Sequence, residues 1–191
     1  GAQHTEPCVA EQHGALGAAR WRVLHPQAED YKRRLDTNSM SCVGMLEFGT
    51  QRVLLTGDIT AAQEARILAR LQEGELSNTT LLMAAHHGSH TSSSPAWAQA
   101  VQPRWVAYTM GYRNRYGHPH AAVVQRFAEI GARAVRTDES GATTWRLNAK
   151  GDVDVQRSRV EQSRYWHNRP LSRLVVDEEE VDEEEGGVGE F

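Results

Sequence analysis

The sequence predicts an α/β fold, and three observations carry the prediction. Apolar runs of strand length alternate with stretches whose apolar residues recur at helical spacing. Gly and Pro punctuate the joins between them. Three of the strand-like runs stop at groups of Asp, His, Asn or Tyr, the pattern of a sheet whose carboxyl edge carries a site.

The elements follow in order. Residues 1–19 mix Gly, Ala, His and Glu without a period and read as irregular. "RWRVLHP" (20–26) alternates polar and apolar residues and stops at Pro26, as a short strand does. "CVGMLEFGTQRVLLTGD" (42–58) reads as two strands turning near Gly49 and Thr50. In "ITAAQEARILARLQEG", Ala61, Ala65, Leu68 and Leu71 share a helical face and Gly74 is the stop. "TTLLMAA" (79–85) is a continuous apolar run, as in a strand buried on both faces. Ser caps and Pro95 open a second helix. "RWVAYTM" (104–110) is a strand, "HAAVVQRFAEIG" (120–131) a helix, and "ARAVRT" and "TTWRL" close the pattern as strands. It fades after Lys150, so the domain is read as residues 20–150, followed over 151–191 by a basic and then acidic disordered tail.

Composition narrows the functional classes. The 191 residues suit one domain, with 39% apolar content and five Trp, five Tyr and three Phe for a core. No run approaches the roughly 20 apolar residues of a membrane-spanning helix, and the start lacks the order of a signal peptide. Net charge is −4, but residues 175–191 hold nine acids and no base. The remainder, with 21 bases against 16 acids, is about +5, which permits a polyanionic substrate. Cys8 and Cys42 belong to no CxxC pair; the alternatives are a disulfide between them, which the spacing does not imply, and two separate thiols, which is the reading taken.

The chemistry gathers at three strand ends. "LLTGD" places Asp58 after one strand, "LLMAAHHGS" places His86, His87 and Ser89 after the next, and "VAYTMGYRNRYGHPH" places Asn114, Tyr116 and His118 after the third. Asp and His are ligands for zinc or manganese. Each piece alone also fits a structural role: a TGD turn caps a helix, a buried His pair satisfies backbone groups, and YGHPH makes a turn.

Taken in order, TGD, then HHGS after 27 residues, then NRYGHP after 24 more, the chain resembles the metallo-β-lactamase superfamily. Within it, "VLHP" (23–26), "NSMSCVGMLEFGTQRVLLTGDI" (38–59), "HHGSHTSSS" (86–94), "NRYGHP" (114–119) and "RTDESGA" (136–142) resemble the carboxyl-terminal domain of the ComEC family of DNA-uptake channel proteins. "RYWHNRP" near the end also looks like the tail of some members. The resemblance implies an αββα sandwich binding two divalent metal ions, zinc or manganese, with no organic cofactor. It implies Asp58 as a ligand bridging the metals, His87 as a histidine ligand, and His86 and His118 as active-site histidines beside them. Ser89, Asn114 and Tyr116 are then expected to contact substrate. Neighbours at a strand end point to opposite sides, so only one of His86 and His87 is expected to reach the metal.

No HxHxDH segment follows His4, His13 or His25, so the chain is expected to carry only the carboxyl-terminal half of such a domain. The implied function is a metal-dependent phosphodiesterase or nuclease acting on incoming DNA, alongside a membrane channel in the bacterial inner membrane and on its extracytoplasmic side. A non-catalytic module that guides DNA or packs against the channel is the alternative for a chain lacking half its ligands. Another hydrolase of the superfamily, such as a phosphorylcholine esterase, would also carry TGD and HHG.

Overall fold

The computed structural model describes residues 6–162. Seven strands form one mixed sheet in chain order: β1 (His13–Leu16), β2 (Ala19–His25), β3 (Val43–Phe48), β4 (Gln51–Leu55), β5 (Leu81–Met83), β6 (Trp105–Tyr108) and β7 (Arg133–Arg136). Strands β1 to β4 pair antiparallel, and β4 to β7 pair parallel. The parallel half is built from crossovers through α1 (Ala61–Leu68), α2 (Pro95–Val101) and α3 (Ala121–Glu129). The short helix α4 (Thr137–Ser140) precedes a hairpin of β8 (Thr143–Leu147) and β9 (Val153–Arg157), which ends in α5 (Ser158–Glu161). The expected α/β class is what the chain adopts. Among the described residues its sheets are the seven-stranded one and this hairpin.

Register explains the core. Met45, Leu54, Leu82 and Val106 lie opposite one another across β3 to β6, and strand alternation puts them on one face. That face packs on Ile67 of α1, Trp97 and Val101 of α2, and Val123 and Phe127 of α3. Burying each such side chain contributes about 1.5–3 kcal/mol. On the opposite face Trp145 of β8 meets Trp105 edge-on at 5.6 Å, while Trp21 and Leu55 stay exposed.

The helix starts carry their own chemistry. Thr60 and Gln63 form a capping box at α1. The Ser94 hydroxyl accepts from the Trp97 N–H, with Pro95 in the first turn of α2. A ring nitrogen of His120 accepts from the Ala122 N–H at α3.

Several sequence expectations are corrected. Residues 13–16 are not irregular, because β1 pairs with β2 as an edge hairpin. Order also runs past Lys150, through β9 and α5, so part of the expected disordered tail is folded. The rest of it, 163–191, lies outside the described residues. In α1 the buried positions are Gln63, Glu64 and Ile67, because Glu64 turns inward to accept from backbone N–H groups of Ser93 and Ser94. The two cysteines are not separate thiols: Cys8 and Cys42 form a disulfide with Cα atoms 6.0 Å apart.

That disulfide ties the amino-terminal segment to the entrance of β3, across a sequence separation of 34. The chain-entropy model puts such a closure at about 4 kcal/mol. Chemical denaturation of a Cys8→Ser/Cys42→Ser double variant should therefore show a loss of that size.

A second brace is ionic. Asp30 is fully buried and accepts from Arg66 at 2.7 Å and from the Gln27 N–H at 2.9 Å. Burial alone would raise its pKa, but the Arg66 guanidinium and the Gln27 N–H hold it below the ordinary carboxylate range. A depressed folded-state pKa gives stability that is present above the unfolded value, about 3.9, and lost as pH falls through the folded one. Asp30→Asn should lower the melting temperature at pH 7, and thermal scans should show that deficit shrinking as pH falls below about 4.

Candidate functional site

The turn after β4 is set by Gly57, whose backbone has φ +54. A Cβ there would stand 2.9 Å from the Ser41 Cβ, so the turn tolerates only glycine's backbone and bulk. The next residue is Asp58. Its N–H donates to the Ser41 hydroxyl at 3.0 Å, which fixes where its carboxylate emerges.

The turn after β5 is unusual in its backbone. His86 (φ 49, ψ 42) and His87 (φ 56, ψ 22) are both left-handed, and Gly88 follows at φ +79. A left-handed non-glycine residue costs about 1–3 kcal/mol and persists only where its surroundings hold it. Here the His86 N–H donates to the Gly57 carbonyl at 2.9 Å, and the Ser89 N–H closes on the His86 carbonyl at 2.9 Å. Strand alternation therefore does not decide where these two rings go; the turn does.

The result brings Asp58 and His87 together. Asp58 Oδ1 and His87 Nε2 lie 3.5 Å apart, and the two side chains are 41% and 45% exposed, open to an incoming ion. That separation is long for a hydrogen bond and close to the ~3.4 Å edge of a tetrahedron with arms of about 2.1 Å. The other ring nitrogen, Nδ1, meets the Thr109 hydroxyl at 3.3 Å. A ligating histidine is commonly oriented in this way through its second nitrogen. The pair thus fits one edge of a metal site. Among the described residues, however, no group of three or more His, Cys, Asp or Glu is gathered closely enough to hold an ion.

His86 stands to one side. Its Nε2 is 3.5 Å from the Asn38 amide and its Nδ1 3.3 Å from the Thr91 hydroxyl, and its ring centroid is 5.9 Å from that of His118. His118 stacks on Tyr116 at 6.0 Å with rings 16° apart. Burial lowers the His118 pKa, and the surrounding His86, His87, His90 and His120 push the same way, favouring the neutral ring. A cleft of about 490 Å³ opens beside these groups, lined by His87, Thr109, Met110, Asn114, Tyr116 and His118 among others.

Two residues expected at the substrate also take part in the loops around the cleft. Ser89 is 3% exposed and its hydroxyl meets Thr91. Asn114 accepts from the His118 N–H at 2.9 Å and donates to the His118 carbonyl at 2.8 Å, so its amide shapes the loop that carries His118. Tyr116, 69% exposed, does line the cleft.

Four supporting residues have no clear signal in the sequence. Ser41 and Thr109 hold Asp58 and His87, and Asn38 faces His86. His25 is fully buried, its Nε2 at 2.8 Å from the Ser39 carbonyl. Burial lowers its pKa, so the neutral ring donates and pins the Asn38–Met40 turn. Only the stretch "VLHP" hints at it.

Gly88 offers a direct check on this geometry. A Cβ there would meet Pro119 and Tyr108 at 2.8 Å on a backbone already left-handed. Gly88→Ala should cost about 2–5 kcal/mol, measured by urea unfolding, from the conformational and overpacking penalties together.

No protein-family model matches the chain. Several known proteins do resemble it. Competence protein ComA of Neisseria gonorrhoeae is 35% identical over 171 residues, which cover 90% of this chain and 23% of that protein. Recombination protein 2 of Haemophilus influenzae is 33% identical over 155 residues, covering 79% and 18%. ComE operon protein 3 of Bacillus subtilis is 31% identical over 137 residues, covering 71% and 17%. The chain thus spans about a fifth of the length of the curated relatives it matches. Among solved structures, the CmlA β-hydroxylase E377D mutant shares a TM-score of 0.43 and 14% identity over 76% of this chain and 32% of that one, a slight likeness.

Proposed function

Over the stretch it shares with them, this chain belongs to the ComEC family of competence proteins, and on that premise we propose that it supplies one side of a phosphodiester-hydrolysing site for incoming DNA. The observation that carries this reading is the Asp58–His87 edge, held at 3.5 Å by two braced turns, the second of them strained, at the carboxyl end of the parallel sheet. Divalent ions held there, zinc or manganese, would neutralise phosphate charge and lower the pKa of a bound water. The chain's own residues have simpler tasks. Asp58 and His87 present the donors, and Thr109 sets the His87 ring. The ring of His118, favoured neutral by burial, borders the cleft where it can exchange a proton with substrate. His86, between Asn38 and Thr91, faces the same region as a second proton-handling or phosphate-contacting group.

We further propose that the domain works on the extracytoplasmic side of the inner membrane, beside the channel portion of the same protein. The Cys8–Cys42 disulfide supports this, since such bonds persist in oxidising compartments. A second reading, that the chain guides DNA without cutting it, is favoured by one observation: the described residues bring two donors into ligating distance, not three.

Metal affinity follows from ligand number and preorganisation. Calorimetric titration of the 191-residue chain with zinc or manganese should show weak binding, reduced tenfold or more by Asp58→Ala or His87→Ala, and a nuclease assay should show no turnover. Tight binding of two metals with turnover would mean that this chain holds a complete centre. Unchanged affinity in both variants would remove Asp58 and His87 from it.

A further inference from the structure

The Cys8–Cys42 disulfide lies one residue from the support of the Asp58–His87 edge. Cys42 is exposed and Cys8 half-buried, so the bond is open to solvent on its Cys42 side. Ser41 and Cys42 form a two-residue link between the Asn38–Met40 turn and β3, which starts at Val43. Both ends of that link are fastened. The turn is held through Ser39, whose hydroxyl donates to Asp36 at 2.7 Å and accepts from the Gln63 amide at 3.1 Å. Val43 is fully buried and pairs with His25 in the sheet. Between these two anchors the disulfide is a third tether.

The link touches both halves of the edge. The Ser41 hydroxyl accepts from the Asp58 N–H at 3.0 Å. The Ser41 Cβ and the Cys42 carbonyl stand 2.9 and 3.5 Å from the place a Cβ would take on Gly57. The Gly57 carbonyl in turn accepts from the His86 N–H, the bond that shapes the His86–His87 turn. A shift of this link therefore moves Asp58 directly and His87 through Gly57. At the other end of the disulfide less depends on it. The amino-terminal segment is also held by the Ala10 N–H on the Pro26 carbonyl at 2.7 Å and the Glu11 N–H on the Val23 carbonyl at 3.1 Å. The Tyr31 hydroxyl adds a bond to the Cys8 carbonyl at 2.8 Å. Opening the disulfide leaves that segment in place and frees the Cys42 end.

We propose that the Cys8–Cys42 bond is a redox switch on this edge: closed, it holds Asp58 and His87 at ligating distance, and a dithiol oxidoreductase that opens it loosens them. The proposal rests on the reading of Asp58 and His87 as metal donors and adds what controls them. One thiolate of the dithiol attacks the exposed Cys42 sulfur, the disulfide breaks, and Cys8 leaves as a thiolate that takes a proton. The second thiolate attacks the mixed disulfide and releases Cys42, which takes a proton in turn. The chain has then gained two electrons and two protons, and the oxidoreductase ends as its own disulfide. The freed Cys8 thiol has an acceptor in place, the His25 carbonyl 3.7 Å from its sulfur. The reverse reaction closes the switch. An edge set only after this bond forms takes up metal more tightly in an oxidising compartment than in a reducing one.

The test compares the oxidised 191-residue chain with the same chain reduced by a thiol-free phosphine. Hydrogen exchange without metal comes first. On reduction the amides of Asp58 and His86 should exchange roughly tenfold faster or more, while those of β5 and β6 keep their protection. Calorimetric titration with manganese should then show an affinity lower by roughly threefold or more, since a support acts on affinity more weakly than a ligand does. Cys8→Ser combined with Cys42→Ser should match the reduced chain in either redox state. Ser41→Ala should exchange fast at Asp58 in both states and bind manganese with an affinity that no longer responds to reduction. Unchanged exchange at Asp58 and His86, equal affinity in the two states, or a Ser41→Ala affinity that still falls on reduction overturns the switch while leaving the metal edge. Loss of protection throughout the sheet also overturns it, because the bond then holds the fold and not the edge. No metal binding in either state overturns the switch and the metal reading together.

Discussion

The hydrogen bond from the His86 N–H to the Gly57 carbonyl joins the turn after β4 to the turn after β5, and the candidate site exists because of it. Each turn alone would place one polar side chain at a sheet edge. Joined, they put the Asp58 carboxylate and the His87 imidazole 3.5 Å apart. The bond also holds His86 and His87 in left-handed conformations that neither residue favours. Further supports converge on the same two turns. The Thr56 hydroxyl reaches the Met83 carbonyl at 2.6 Å across the ends of the two strands, and Gly88 seats closely on Pro119 and Tyr108.

Much of the remaining polar network serves those turns from a distance. His25 pins the Asn38–Met40 turn, which leads to Ser41 under Asp58, and the Cys8–Cys42 disulfide fastens the residue beyond it. On the other side, buried Glu64 accepts from the Ser93 and Ser94 N–H groups and so fixes the serine-rich segment that follows the histidines. Burial raises the pKa of Glu64 while the two N–H donors oppose the shift, and these bonds satisfy a buried acid where an apolar residue would otherwise stand. The parallel strands supply the rigid floor. A site assembled from strand ends on such a floor can present two half-exposed donors without losing their mutual geometry.

How far the sequence discloses this depends on the kind of information each feature needs. The parallel strands β4, β5 and β6 and their helices are legible because apolar periodicity and caps such as Ser94 with Pro95 are local. Asp58, His86, His87 and His118 are legible as a group because each follows a recognisable strand. Their roles are less so. Alternation along a strand suggests that the two histidines diverge, but a left-handed turn follows no such rule. Ser89 and Asn114 show the same limit, since nothing local in the sequence tells that their side chains also hold the loops that carry them. The pairing of Cys8 with Cys42 is tertiary and has no local signal. Strand β9 does have one, the alternation of Val153 and Val155 with polar residues, but the change in composition after Lys150 hides it.

On the proposed reading, these two turns present one edge of a metal site, with Asp58 and His87 as its donors. Crystals of this chain soaked in zinc and measured at the zinc absorption edge test it most directly. An anomalous peak is expected within about 2.3 Å of both Asp58 Oδ1 and His87 Nε2, at partial occupancy. A peak held by other residues, or a His87 ring turned away from Asp58 with no ion between them, would contradict it.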